Sequence, residues 1–175
     1  TYVNKGIYTE PLYVTKIEDK SGNTLDTFHP RKNEAISEDA AYLMLNLLEG
    51  VVNHGTSIRL RSKYEFESQI AGKTGTTNNH SDGWFMGVIP QMVVGVWTGG
   101  EERSIHFDGG LGYGSNMSLP IFALFLQKVY EDESLGISKE AIFEKPENFY
   151  INLDCQADTE DQKFDKESFD DEFFN

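Results

Sequence analysis

Seven consecutive residues near the middle of the chain, Ala71-Gly72-Lys73-Thr74-Gly75-Thr76-Thr77, put a lysine, three hydroxyls and two glycines in one short run. Lys73 offers a fixed positive charge toward an anionic substrate. The hydroxyls of Thr74 and Thr76 offer charge-assisted hydrogen bonds to a carboxylate. Gly75 has no side chain, so a substrate backbone can approach a strand closely at that point. A free backbone N–H on an edge strand can also donate to a developing oxyanion. The Gly-Lys-Thr triplet invites a phosphate-loop reading as well, and that reading fails. The loop requires G-x-x-x-x-G-K-[ST], and the position five before Gly72 is Glu67, a carboxylate that would repel phosphates.

Other clusters are weaker. His29, His54, His80 and His106 are far apart and show no metal-ligand spacing, so no metal and no cofactor is expected. Glu101 and Glu102 beside Arg103 read as solvated charges, because neighbouring residues on a strand or turn point apart. Trp84, Phe85 and Trp97 suggest a stacking platform for sugars, but their place on alternating strands favours core packing. A single cysteine, Cys155, excludes an internal disulfide and a cysteine zinc cluster and reads as a lone thiol.

The elements that must position the central run follow from local pattern. Pro11–Ile17 and Thr24–Phe28 read as a β-hairpin around Asp19-Lys20-Ser21-Gly22-Asn23, ended by His29-Pro30. Ser37 is a natural N-cap, with Glu38 and Asp39 in the first turn. Apolar residues from Ala41 to Val52 and a stop at His54-Gly55 then predict a helix over 37–54. Residues 55–68 read as loop with one helical turn. Strands are predicted at Gln69–Gly75, Gly83–Val88 and Met92–Thr98, the last two joined tightly through Ile89-Pro90-Gln91. A glycine-rich loop at 109–114 leads to a helix starting near Ser118, with Pro120 in its first turn and Phe122, Phe125, Leu126 and Val129 along it. The order predicts an α+β fold, an antiparallel sheet flanked by helices.

Composition bounds the rest. The 175 residues carry 29 acidic against 15 basic side chains, a net charge of −14. Residues 131–175 hold 15 acids and four lysines, so the acidity belongs to a tail and residues 1–130 are nearly balanced. Such a chain repels phosphate backbones, and no nucleic-acid partner is expected. No apolar run approaches the roughly 20 residues that span a bilayer, and no basic stretch followed by an apolar one opens the chain. The first residue is Thr1, which suggests a processed chain or a piece of a longer one. The division expected is a body over 1–130 and an acidic tail over 131–175, disordered or loosely docked, with Phe164, Phe169, Phe173 and Phe174 scattered among its acids.

The context of the central run carries a resemblance. Gln69–Asn78 followed by Asp82-Gly83-Trp84-Phe85-Met86-Gly87 resembles the third motif region of class A, bifunctional penicillin-binding proteins. Gly6-Ile7-Tyr8 with Pro11, the hairpin at 16–23, Val94–Gly99 and Gly114–Ile121 are similar to the segments around that motif, so the resemblance covers about residues 1–130. It implies the C-terminal half of the penicillin-recognising serine transpeptidase (β-lactamase-like) fold. The activity implied is a D,D-transpeptidase that cross-links peptidoglycan stem peptides and is acylated by β-lactams.

The family uses S-x-x-K, S-x-N and K-T-G, and only the third stands here. No serine has a lysine three positions later, and Ser21-Gly22-Asn23 reads as a hairpin tip. Nucleophile and base are therefore expected outside the chain, which would be inactive alone. By the resemblance, Lys73 sets the electrostatics of the cleft, Thr74 and Thr76 hold the substrate carboxylate, the Thr76 N–H is one oxyanion donor, and Gly75 keeps the strand open. The partners implied are a stem peptide ending in D-Ala-D-Ala, β-lactams and the missing N-terminal part of the same domain. The parent is placed on the periplasmic side of the bacterial inner membrane. Two alternatives stay open: a non-catalytic binding or structural module of the same fold, and a β-lactamase or carboxypeptidase relative sharing K-T-G.

Overall fold

The computed structural model describes residues 1–153. Its centre is a three-stranded antiparallel sheet of order β5-β6-β7, formed by Ala71–Thr76, Asp82–Ile89 and Met92–Gly99. β6 and β7 pair from Ile89↔Met92 to Asp82↔Gly99 across Pro90-Gln91, the tight connection expected. β5 pairs with β6 from Ala71↔Val88 to Thr76↔Gly83.

Side chains alternate between the two faces of a strand. On β6 the odd positions Gly83, Phe85, Gly87 and Ile89 are all buried. They lie under helix α3, Gly114–Glu131, whose Leu119, Phe122, Ala123 and Leu126 complete the main core. Gly87 makes that contact possible, because a Cβ there would sit 2.2 Å from the Phe122 ring. Helix α1, Glu38–Asn53, caps on Ser37, whose hydroxyl accepts the Ala40 N–H at 3.2 Å. Val52 of α1 enters the main core, while Leu45 packs with Ala71 and Phe143 in a second cluster on the opposite side of β5.

Several expectations shift. α3 begins one turn earlier than Ser118, at Gly114, so Pro120 sits inside the helix. Its first turn is anchored from outside: the Gly114 N–H donates to Thr76 Oγ1 at 3.1 Å, a contact no local pattern announces. The hairpin is shorter than expected, Lys16–Glu18 (β2) with Thr24–Thr27 (β3). At its tip Asp19 accepts the N–H groups of Ser21 and Asn23, and Gly22 has φ +84°, so Ser21-Gly22-Asn23 is a turn. A further ladder pairs Ile7–Thr9 (β1) with Lys32–Glu34 (β4). The helical turn in 55–68 is Arg59–Ser62 (α2), fixed by Leu60 in the core. Beyond α3 the chain folds back: Phe143 and Phe149 are buried, and Phe149 meets Tyr42 of α1 edge-on at 5.1 Å. Cys155 and the phenylalanines of 164–174 lie outside the described residues.

The expected core packing of the aromatic trio holds only for Phe85, which is fully buried. Trp84 and Trp97 are 44% and 48% exposed, with ring centroids 6.5 Å apart. They stand opposite each other in the β6–β7 register, on the sheet face that α3 does not cover.

Candidate active site

The glycine and threonine content of Gly72–Thr76 makes an unusual strand, with no apolar alternation of its own. It is held by its neighbours instead. A Cβ at Gly72 would sit 2.8 Å from the Phe85 ring and one at Gly75 3.2 Å from Trp84 Cβ, so both glycines let β5 lie close on β6. Among the described residues β5 has a strand on one side only, which makes it an edge.

The four residues singled out for chemistry therefore share one strand and its open edge, but not one face. Lys73 and Gly75 stand opposite Met86 and Trp84 on the face away from α3, while Thr74 and Thr76 stand opposite Phe85 and Gly83 on the α3 side. Lys73 is exposed, and its Nζ donates to the Thr74 carbonyl at 2.8 Å. Thr74 Oγ1 lies 3.1 Å from Thr56 Oγ1. Thr76 is exposed, and its Oγ1 accepts from Gly114, so its hydroxyl hydrogen remains to be donated elsewhere.

Two sets of neighbours were not marked by sequence reasoning. Arg59 donates to the Ser115 carbonyl at 3.2 Å and to Asn116 Oδ1, tying α2 to the start of α3 beside the strand. Asp82 gathers donors from Thr77, Ser81 and Trp97, which hold its carboxyl below the ordinary aspartate range, Trp97 contributing most. A hydroxyl and a carboxylate flanking the Asn-rich turn 78–81 were the visible signal. Among the described residues no group of three or more His, Cys, Asp and Glu is placed to hold a metal ion.

The arrangement offers a cation, two hydroxyls and strand backbone at one accessible edge, the equipment for gripping an anionic, extended substrate and stabilising the oxyanion that forms on an attacked acyl group. Among the described residues it contains no assembled nucleophile and base of its own. Comparison with known proteins bears on that gap. Residues 1–124 match the family described as the penicillin binding protein transpeptidase domain. The chain is 30% identical over 156 residues, 87% of its length, to penicillin-binding protein 1A of Aquifex aeolicus, but covers 20% of that protein. It spans a fifth or less of the length of such curated relatives. Among solved structures, penicillin-binding protein 1A from Haemophilus influenzae superposes with a TM-score of 0.66 at 20% identity, over 83% of this chain and 26% of the other, a likeness of fold. A ceftriaxone acyl-enzyme complex of penicillin-binding protein A from Mycobacterium tuberculosis matches with a TM-score of 0.51 at 20% identity, over 72% of this chain and 29% of that one.

Proposed function

The chain belongs to the penicillin-binding protein transpeptidase family as a piece of that domain, and on this premise we propose that it supplies the substrate-gripping strand of a serine D,D-transpeptidase. The observation that carries the reading is the edge strand Lys73-Thr74-Gly75-Thr76, with Lys73 and Thr76 exposed and β6 paired along its other side.

In this reading a serine from the remainder of the domain attacks the carbonyl of the penultimate D-alanine of a stem peptide, helped by a neighbouring lysine base. The terminal D-alanine leaves with a proton, and an amine of a second stem peptide takes the acyl group from the serine. Lys73 supplies positive potential beside the anionic substrate. The Thr74 and Thr76 hydroxyls bind the terminal carboxylate, and the Thr76 hydroxyl is free to donate because its oxygen already accepts from Gly114. The Thr76 N–H is one of two oxyanion donors, and Gly75 leaves room for the substrate backbone. β-Lactams acylate the same serine. In this reading the face on which Trp84, Met86 and Trp97 are exposed meets the remainder of the domain. That parent works at the bacterial cell envelope, and among the described residues no helix is long and apolar enough to cross a membrane.

The test is Lys73→Ala in the whole parent protein, read as the second-order rate of acylation by a fluorescent penicillin. A fall of about 100-fold or more is expected from loss of a preorganised charge at the reacting centre. A rate near that of the unmodified protein would remove Lys73 from the site.

A further inference from the structure

At the turn after β5, one carboxylate joins three segments. Asp82 Oδ2 accepts from Thr77 Oγ1 and from Ser81 Oγ, each at 3.0 Å, and Asp82 Oδ1 accepts from Trp97 Nε1 at 3.0 Å. The backbone repeats the link to Thr77. The Asp82 N–H donates to Thr77 Oγ1 at 3.0 Å, and the Thr77 N–H donates to the Asp82 carbonyl at 3.1 Å. Ser81 is buried, and Gly99 is the residue that admits the cluster, since a Cβ there would meet Asp82 Oδ1 at 2.9 Å and the Trp97 ring at 2.7 Å.

Thr76, one residue before Thr77, is held from the other face of the sheet. The Gly114 N–H at the start of α3 donates to its Oγ1 at 3.1 Å. No side chain fits at position 114, where a Cβ would lie 2.4 Å from the Gly75 and Trp84 carbonyl oxygens. The Thr76–Thr77 segment is thus clasped by Asp82 on one side and by α3 on the other. A strand end with an open edge otherwise twists and frays. Here that end carries the N–H and hydroxyl assigned above to the substrate.

We infer that Asp82 is a positioning residue for the transpeptidase site: through Thr77 it fixes the strand end so that the Thr76 N–H and hydroxyl keep the geometry acyl transfer requires. This rests on the reading of β5 as the substrate strand. Asp82 does not touch substrate; it acts on the orientation of a neighbour. A misplacement of about 1 Å at such a donor is enough to cost roughly 100-fold in rate. The effect falls on the chemical step more than on the initial binding, because the oxyanion exists only once the acyl carbon is attacked.

The experiment uses the whole parent protein and a fluorescent penicillin, with the acylation rate constant separated from the dissociation constant of the first complex by varying its concentration. Asp82→Ala and Thr77→Val are each expected to lower the acylation rate constant by about 10- to 100-fold, with the dissociation constant little changed. The double variant should be no slower than the worse single one, since the Thr77–Asp82 contact is lost in each, and Thr77→Ser, which keeps the hydroxyl, should restore the rate. Normal acylation in the single variants, losses that multiply in the double variant, or a loss confined to the dissociation constant would overturn the assignment. Should Asp82→Ala fail to fold, the Thr77→Val and Thr77→Ser pair tests the same contact from its other end. Lys73→Ala in parallel separates the two readings. If it abolishes acylation while Asp82→Ala and Thr77→Val do not, only the clasp fails; if it too acylates normally, the site itself is misassigned.

Discussion

The two faces of the β5-β6-β7 sheet are built from the same strands and have opposite fates. On one face Phe85, Ile89 and the β6 glycines are sealed under α3, with Leu119, Phe122 and Leu126 at or below 1% exposure. Two hydroxyl contacts finish that seal: Ser118 Oγ donates to the Gly83 carbonyl at 2.7 Å, and Thr98 Oγ1 lies 2.7 Å from Ser118 Oγ. On the other face α1 and Phe143 cover only the Ala71–Val88 end, and Trp84, Met86, Val93 and Trp97 stand 42% to 53% exposed. A face with two tryptophans and a methionine in solvent is a surface shaped for contact, since exposed apolar residues clustered together mark an interaction site. The closed face stabilises this segment, while the open one leaves its apolar side chains in solvent.

That contrast is open to direct attack. Phe122→Ala should be the most damaging change, costing about 3–5 kcal/mol, because it empties the closed face and strands the Phe85 ring 4.9 Å away. Urea unfolding with an unchanged slope measures it. Trp84→Ala, a larger deletion on the open face, should cost under about 1 kcal/mol in this chain, because the side chain is already half in water and loses mainly its contact with Trp97. Equal losses at the two sites would mean the open face is covered in solution.

The smallest effect belongs to α1, whose Leu45 and Val52 pack into different clusters. Between Leu45 and Val52 it carries Glu49, whose carboxyl is pushed up by burial against the opposing pull of Arg61. The folded form then holds its proton more tightly than the unfolded chain does. Its penalty is absent below the ordinary glutamate value and grows as pH rises through the folded value. Glu49→Gln should therefore raise stability at pH 7 by about a few tenths of a kcal/mol for a half-exposed group, seen as a slightly higher melting temperature, and leave it unchanged near pH 4. A melting temperature lowered at pH 7 would show the Arg61 attraction to dominate.

Helix 38–53 was readable because its information is local. Ser37 caps a turn three residues away, two acids follow, and apolar residues recur at helical spacing. β6 and β7 were readable from local signals too, runs rich in β-branched and aromatic residues joined tightly through Pro90-Gln91. The β1–β4 ladder was not, since Lys32–Glu34 is exposed throughout and no buried face imposes a period on it. The central run was found by residue type and neighbourhood; its place on the strand, and the resemblance around it, were both legible along the chain.

Other facts belong to the folded chain alone. The tight turn at Pro90-Gln91 sets Trp84 opposite Trp97, yet says nothing of which face a helix covers, so their exposure was invisible until α3 docked on the Phe85 side. The start of α3 was likewise hidden, because the oxygen capping Gly114 comes from Thr76, 38 residues earlier. The clasp at Asp82 joins Thr77 and Ser81, near in sequence, with Trp97, which only strand pairing brings within reach. Local pattern encodes what a residue does to neighbours a few positions away. Side-chain contacts across tens of residues exist only after the chain has paid the entropy of closing those loops, and they are where the geometry of β5 is decided.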